Sequence, residues 1–181
     1  MDRFHVPDFE VFWRAVDQGL TADCSVIVIG GAAIGMAFDP AHTTTDIDLW
    51  SNAPAEFWTA CEHARQQAGK AIPIQKVGVA EAPYDFEDRL RRLPIRGLQH
   101  LQLLVPEAHD LAMMKVARGE EHDLEGILDI HRASPLDAKT LVERFRTTEV
   151  VGSREMFKLK FLDMIGRLFG EAAARAMEST L

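Results

Sequence analysis

Two aspartates separated by one residue, Asp46 and Asp48, carry the most chemistry in this sequence. They lie in Asp46-Ile47-Asp48-Leu49, where acidic and apolar residues alternate. Side chains alternate across a strand, so the two carboxylates share one face while Ile47 and Leu49 turn to the core. Paired carboxylates suit a hard divalent cation such as Mg²⁺ or Mn²⁺. Upstream, Ser25-Val26-Ile27-Val28-Ile29 runs into Gly30-Gly31. A glycine pair leaves its backbone N–H groups open to close approach by phosphate oxygens. Together the two stretches describe a place to hold a metal-bound triphosphate.

The elements around them must present these groups. The β-branched run Ser25–Ile29, bounded by glycines, predicts a central strand. Ala32 to Phe38 is small and apolar and predicts a short helix whose N-terminus faces Gly30 and Gly31, an end that favours an anion. Asp39 to Thr45 reads as an exposed loop. Before the strand, Val6 to Gly19 predicts an amphipathic helix with Asp8 as N-cap, Phe9, Phe12, Trp13 and Val16 packing into the core, and Gly19 ending it in the left-handed conformation. Ser51 to Pro54 opens a further helix to about Gln67, stopped by Gly69. Ile72 to Val79 reads as a strand and Glu81 to Asp88 as an acidic turn. Arg89 to Arg96 reads as a charged surface segment offsetting that turn. Leu98 to Val105 is apolar enough for the last strand.

The remainder reads as helical. Pro106 to Asp110 starts a helix that Gly119 breaks, and Asp123 begins another through roughly His131. Ser134 to Asp137 is a break and cap before a helix over Leu136–Phe145, and Thr147–Gly152 is a linker. Met156 to Met177 reads as one long helix, with more apolar residues than one stripe requires. The expected fold is α/β (α+β): a small mixed sheet flanked by helices over residues 1–105, with a helical C-terminal part, 106–181, packed on it.

A strand, Gly-Gly, a short helix and then Asp-x-Asp on the next strand resembles the nucleotidyltransferase superfamily with the DNA-polymerase-beta-like fold. The likeness spans roughly Ser25 to Ile130. It is strongest to nucleotidyltransferase-like proteins of abortive-infection and toxin–antitoxin systems and to uncharacterised families beside them. Thr44 matches the threonine of that group's Arg-x-Thr-x-Asp-x-Asp, while His42 stands where the arginine often is. Asp110, Lys115, Arg118 and Asp123 match a second pattern, with Glu120 and His122 at places that are often basic.

The resemblance implies Mg²⁺ or Mn²⁺ on Asp46 and Asp48, and a nucleoside triphosphate as substrate, with Gly30 and Gly31 at its outer phosphates. It implies Lys115 as a triphosphate contact and Asp123 as a catalytic residue near the site. It also leads one to expect a third acid on a strand beside the Asp-x-Asp pair, for which Glu81 and Asp85 are alternatives. The implied reaction transfers a nucleoside monophosphate to a hydroxyl of RNA, such as the end of a transfer RNA, or of a protein. The expected partners are a cognate toxin or antitoxin, or a second copy, meeting the C-terminal helices.

Composition bounds this reading. The chain has 181 residues, with 28 acids against 20 lysines and arginines and a net charge of −8. That balance opposes broad nucleic-acid affinity, which needs basic surface. Cys24 and Cys61 are too few for a disulfide scaffold and sit in apolar surroundings, as buried thiols would. No apolar run approaches the roughly 20 residues that span a bilayer, and the N-terminus has no signal-peptide pattern, so a soluble cytoplasmic protein is expected. Two other classes compete. One is a catalytically weak or inactive module of the same fold that binds a partner. The other is a His-Asp phosphohydrolase, drawing on His100, His109-Asp110, His122-Asp123 and His131, which the strands and glycine pair fit poorly.

Overall fold

The computed structural model describes residues 2–50, 52–67, 71–78, 81–179 and 181; Ser51, Gly69 and Val79, which bound expected elements, lie outside them. The chain divides into two compact units. The first comprises Met1–Gly78 and Leu90–Pro106, the second Val79–Arg89 and Glu107–Leu181. The acidic turn therefore groups with the helical part, although it precedes two of the strands.

The first unit holds a mixed five-stranded sheet in the order β3-β2-β1-β5-β4. Its strands are β1 (Cys24–Ile29), β2 (Ile47–Leu49), β3 (Ile74–Lys76), β4 (Arg91–Arg92) and β5 (Leu101–Val105). β1 runs antiparallel to β2 and parallel to β5. β3 is parallel to β2, and β4 antiparallel to β5. Val26, Val28, Ile47, Leu49, Leu103 and Val105 are buried, as their alternation or apolar runs require. Arg91 and Arg92 form the short edge strand β4 and are exposed, a charged edge of the kind that resists pairing with another chain.

Helix α1 (Val6–Gln18) buries Phe9, Phe12, Trp13 and Val16, as its spacing predicts. Its start differs from expectation. His5 is the N-cap, and Asp8 instead closes a capping box by accepting from the His5 N–H at 3.0 Å. Its end differs too. Gly19 is right-handed, with φ −88°, so it is no left-handed stop. What requires glycine there is space: a Cβ would come within 2.9 Å of Ala60 Cβ on α3 (Ala55–Gln67). α2 (Gly30–Ala37) follows β1 directly.

The second unit contains α4 (Ala108–Arg118), α5 (Glu121–Ala133), α6 (Ala138–Thr147), α7 (Arg154–Phe169) and α8 (Glu171–Glu178), preceded by a 3₁₀ turn over Phe86–Arg89. The expected helix Met156–Met177 is two helices. Gly170 adopts φ 91° and ψ 159°, a conformation essentially confined to glycine, and the chain turns there. The core gathers Leu111, Met113, Val116, Ile127, Ile130, Leu141, Phe145, Phe161 and Ile165. Phe145 stacks on Phe157 at 4.9 Å, with the Arg154 guanidinium 4.2 Å above the Phe145 ring. Among the described residues no helix is long and apolar enough to cross a membrane.

Candidate functional site

In the first unit the sheet itself assembles the site. β1 and β2 pair so that Asp48 lies opposite Ile29 and Leu49 opposite Val28. That register sets the Asp48 carboxylate beside the residue after Ile29, which is Gly30. Gly30 has φ 69°, where side chains are strained, and a Cβ built on it would lie 2.9 Å from Asp48 Oδ2. Gly31 shows the same crowding from the other acid's neighbour. A Cβ there would meet Thr44 Oγ1 at 2.6 Å. Thr44 in turn donates to Asp46 Oδ1 at 3.2 Å. The backbone of Phe4 bridges Thr44 and holds that loop against the unit.

Asp46 and Asp48 are both half-buried, while Ile47 between them is fully buried. The structure thus brings Gly30, Gly31, Thr44, Asp46 and Asp48 into one place, at the end of a buried strand and the start of α2. Two carboxylate groups and a nearby hydroxyl form an all-oxygen donor set, which fits Mg²⁺ or Mn²⁺. The absent Cβ atoms at Gly30 and Gly31 are what let Asp48 and Thr44 pack this closely against the backbone there.

On the other side of β2, Asp48 is in register with Gln75 of β3. The Gln75 Nε2 amide donates to Asp48 Oδ1 at 3.0 Å. An amide therefore stands on the strand beside the Asp-x-Asp pair, at the level of Asp48. The alternation of Ile72–Val79 puts Gln75 on a strand, but nothing along the chain signals its pairing with Asp48. Of the acids considered from sequence for this neighbourhood, Asp85 belongs to the second unit. It has φ 60° and pairs with Arg89 at 3.1 Å. Glu81 is grouped with the same unit.

The second unit holds Lys115 and Asp123, which form a buried ion pair. Asp123 is 0% exposed and Lys115 only 5%. Lys115 Nζ donates to Asp123 Oδ1 at 3.1 Å, and Arg118 Nε donates to Oδ2 at 2.7 Å. Asp123 also caps its own helix by accepting from the Glu120 N–H. Burial alone would raise this carboxyl. The Arg118 hydrogen bonds and the Lys115 charge outweigh it and hold it at about 2. The local chain geometry is built for this. α4 stops at Gly119 in the left-handed conformation, φ 64°, so α5 can bring Asp123 back onto Lys115 and Arg118. Lys160 of α7 donates to the carbonyls of Ala117 and Arg118, closing that helix end.

Ligand atoms of Glu120, His122 and Asp123 lie within 4.8 Å of one another. Both Asp123 oxygens already accept from cationic side chains, so a metal placed there would face Lys115 and Arg118. The histidines relevant to a phosphohydrolase have other employment. His109 Nε2 accepts from the Asp137 N–H and His131 Nδ1 from the Leu136 N–H, so both rings secure the break before α6.

Two acids, Asp17 and Asp110, have structural partners that their spacing in the sequence did not reveal. Asp17 accepts from the backbone N–H groups of Gln99, His100 and Leu101 at 2.7–3.0 Å. Burial would raise this carboxyl, but those three donors hold it below the ordinary range. Asp110 is fully buried and receives Arg89 in a two-pronged pair at 2.8 and 2.9 Å, with Arg144 3.0 Å away. Both cysteines are free and buried, as expected, and burial pushes the Cys61 thiol up to about 12.

A glycine pair closing a buried strand, with Asp48 on the next strand set against it and Asp46 just before that strand, defines a nucleotidyltransferase-like α/β protein. A family model described as "Nucleotidyltransferase of unknown function (DUF6036)" matches residues 12–165, and the chain belongs to that family. No curated protein and no solved structure matches it.

Proposed function

We propose that this protein transfers a nucleoside monophosphate from a nucleoside triphosphate to a hydroxyl of RNA or protein, using Mg²⁺ or Mn²⁺ on Asp46 and Asp48. The observation that carries this reading is the close approach of Asp48 to Gly30, where even a Cβ would lie 2.9 Å from Oδ2, so that the carboxylate sits directly against the glycine turn that opens α2. Gly30 and Gly31, at the start of α2, offer backbone N–H groups to the outer phosphates. Thr44 fixes one oxygen of Asp46. A divalent cation on the two aspartates would supply charge neutralisation at the α-phosphate and lower the pKa of the attacking hydroxyl.

The resemblance implies Lys115 as a nucleotide contact, and within the second unit Asp123 holds Lys115 together with Arg118. A carboxyl held at about 2 stays ionised at physiological pH and is a weak proton acceptor, so its role is to aim the two cations. The resemblance to toxin–antitoxin and phage-defence proteins supports that biological setting, with a cognate partner or a second copy as the binding counterpart.

The test is calorimetry with Mg²⁺ and each nucleoside triphosphate, using an Asp46→Ala, Asp48→Ala double variant as control. Saturable, Mg²⁺-dependent binding that the double variant loses is the expected result, followed by label transfer from an α-labelled nucleotide. No binding at millimolar nucleotide overturns the reading. A second reading, a partner-binding module of the same fold, draws on the C-terminal helices. Met156 and Leu159 of α7 are exposed and α8 has no buried residue. Failure to bind Mg²⁺-nucleotide would favour it.

A further inference from the structure

Gln75 occupies the one position on β3 that is in register with Asp48, and its amide spends a hydrogen bond on that carboxylate. An ionised carboxylate only accepts, so Gln75 must present Nε2 and not its carbonyl. The consequences for a metal site are chemical. A carboxylate that bridges two cations uses one oxygen for each. Asp48 Oδ1 accepts from Gln75 at 3.0 Å, while Oδ2 is the oxygen turned toward Gly30. A cation on Oδ1 would share that oxygen with the Gln75 donor, which draws electron density from it and weakens it as a ligand. A carboxylate in place of the amide would add a third negative charge at this level of the sheet. Two cations about 3.5–4 Å apart, as two-metal sites hold them, repel strongly and need that anionic support. Asp46 and Asp48 alone supply two charges.

We propose that Gln75 is a positioning residue that fixes Asp48 for a single divalent cation, and that the Asp46–Asp48 site holds one cation in the absence of nucleotide because an amide, not a carboxylate, stands on β3 opposite Asp48. This rests on the reading of Asp46 and Asp48 as metal ligands. It adds the residue that sets the site's cation count. Gln75 is exposed on a three-residue strand, so substitution there leaves the buried sheet intact.

The test counts Mn²⁺ on the full chain by electron paramagnetic resonance of the free ion, without nucleotide. The unsubstituted protein is expected to bind one equivalent, lost in Asp48→Asn. Gln75→Glu is expected to gain a second equivalent or to bind the first at least tenfold more tightly, and Asp48→Asn is expected to abolish that gain. Gln75→Ala is expected to keep one equivalent at weaker affinity. A purely structural role for Gln75 would shift only the melting temperature. Two equivalents in the unsubstituted protein, both sensitive to Asp48→Asn, overturn the inference and leave the metal reading standing. So does Gln75→Glu with unchanged count and affinity. No Mn²⁺ binding that depends on Asp48 overturns the metal reading itself, and this inference with it.

Discussion

Asp123→Asn isolates what the buried ion pair of the second unit contributes. The Asp123 carboxyl lies at about 2 in the folded chain. An unperturbed aspartate lies near 3.9, so the gap is roughly two units, at about 1.4 kcal/mol each. The folded state thus gains about 2–3 kcal/mol from this ionisation at neutral pH. The folded pKa is depressed, so this stability is present in full above about pH 5. It is lost as pH falls through 4 toward 2. Asp123→Asn also leaves the Lys115 ammonium, 5% exposed, without its carboxylate, and the total cost at pH 7 is about 3 kcal/mol. Urea unfolding followed by far-ultraviolet circular dichroism reads it. Trp13, Trp50 and Trp58 all belong to the first unit, so tryptophan emission reports on that unit separately. The difference between the proteins should narrow between pH 5 and pH 3. An unchanged dichroism midpoint at pH 7, or a difference as large at pH 3 as at pH 7, refutes the assignment.

Asp17→Ala removes the acceptor of three backbone N–H groups and should lower first-unit stability by about 3 kcal/mol, read by tryptophan emission in urea. An unmoved midpoint would show that water replaces the carboxylate without loss. Gly30→Ala should cost about 1–2 kcal/mol from its positive φ alone. It should also weaken Mg²⁺-nucleotide binding by more than tenfold in calorimetry; full-strength binding would remove Gly30 from the site. Gly170→Ala should destabilise the α7–α8 turn by about 1–3 kcal/mol in a dichroism melt, and an unshifted melt would contradict its backbone conformation.

The residues whose role is local were legible in the sequence. β1 announces itself by a run of branched apolar residues, and Asp46 and Asp48 by alternation with Ile47 and Leu49. The Gly119 break shows as a gap in helical spacing, and the Asp137 cap as a polar residue after proline. Gly19 and Gly170 show where such reading stops. Each was visible as a glycine, but whether glycine serves conformation or space is a property of its surroundings. Gly19 yields to Ala60 on another helix, and Gly170 takes a φ that the apolar periodicity running through it does not reveal.

The same distinction governs the candidate site. A search for a third acid runs along the chain and reaches Glu81 and Asp85, because acids cluster there. A sheet places neighbours by register, and β3 is three residues long, too short for alternation to declare a partner. The group that meets Asp48 is therefore decided by which residue of β3 falls opposite it, and that residue is Gln75. The pairing of Lys115 with Asp123 is intermediate. The pattern Lys115, Arg118, Asp123 is readable, yet the direction of the effect is not. Spacing alone equally allows a carboxylate poised to take a proton. Only the fully buried position of Asp123, beside Lys115 and Arg118, shows that its carboxyl is held down at about 2.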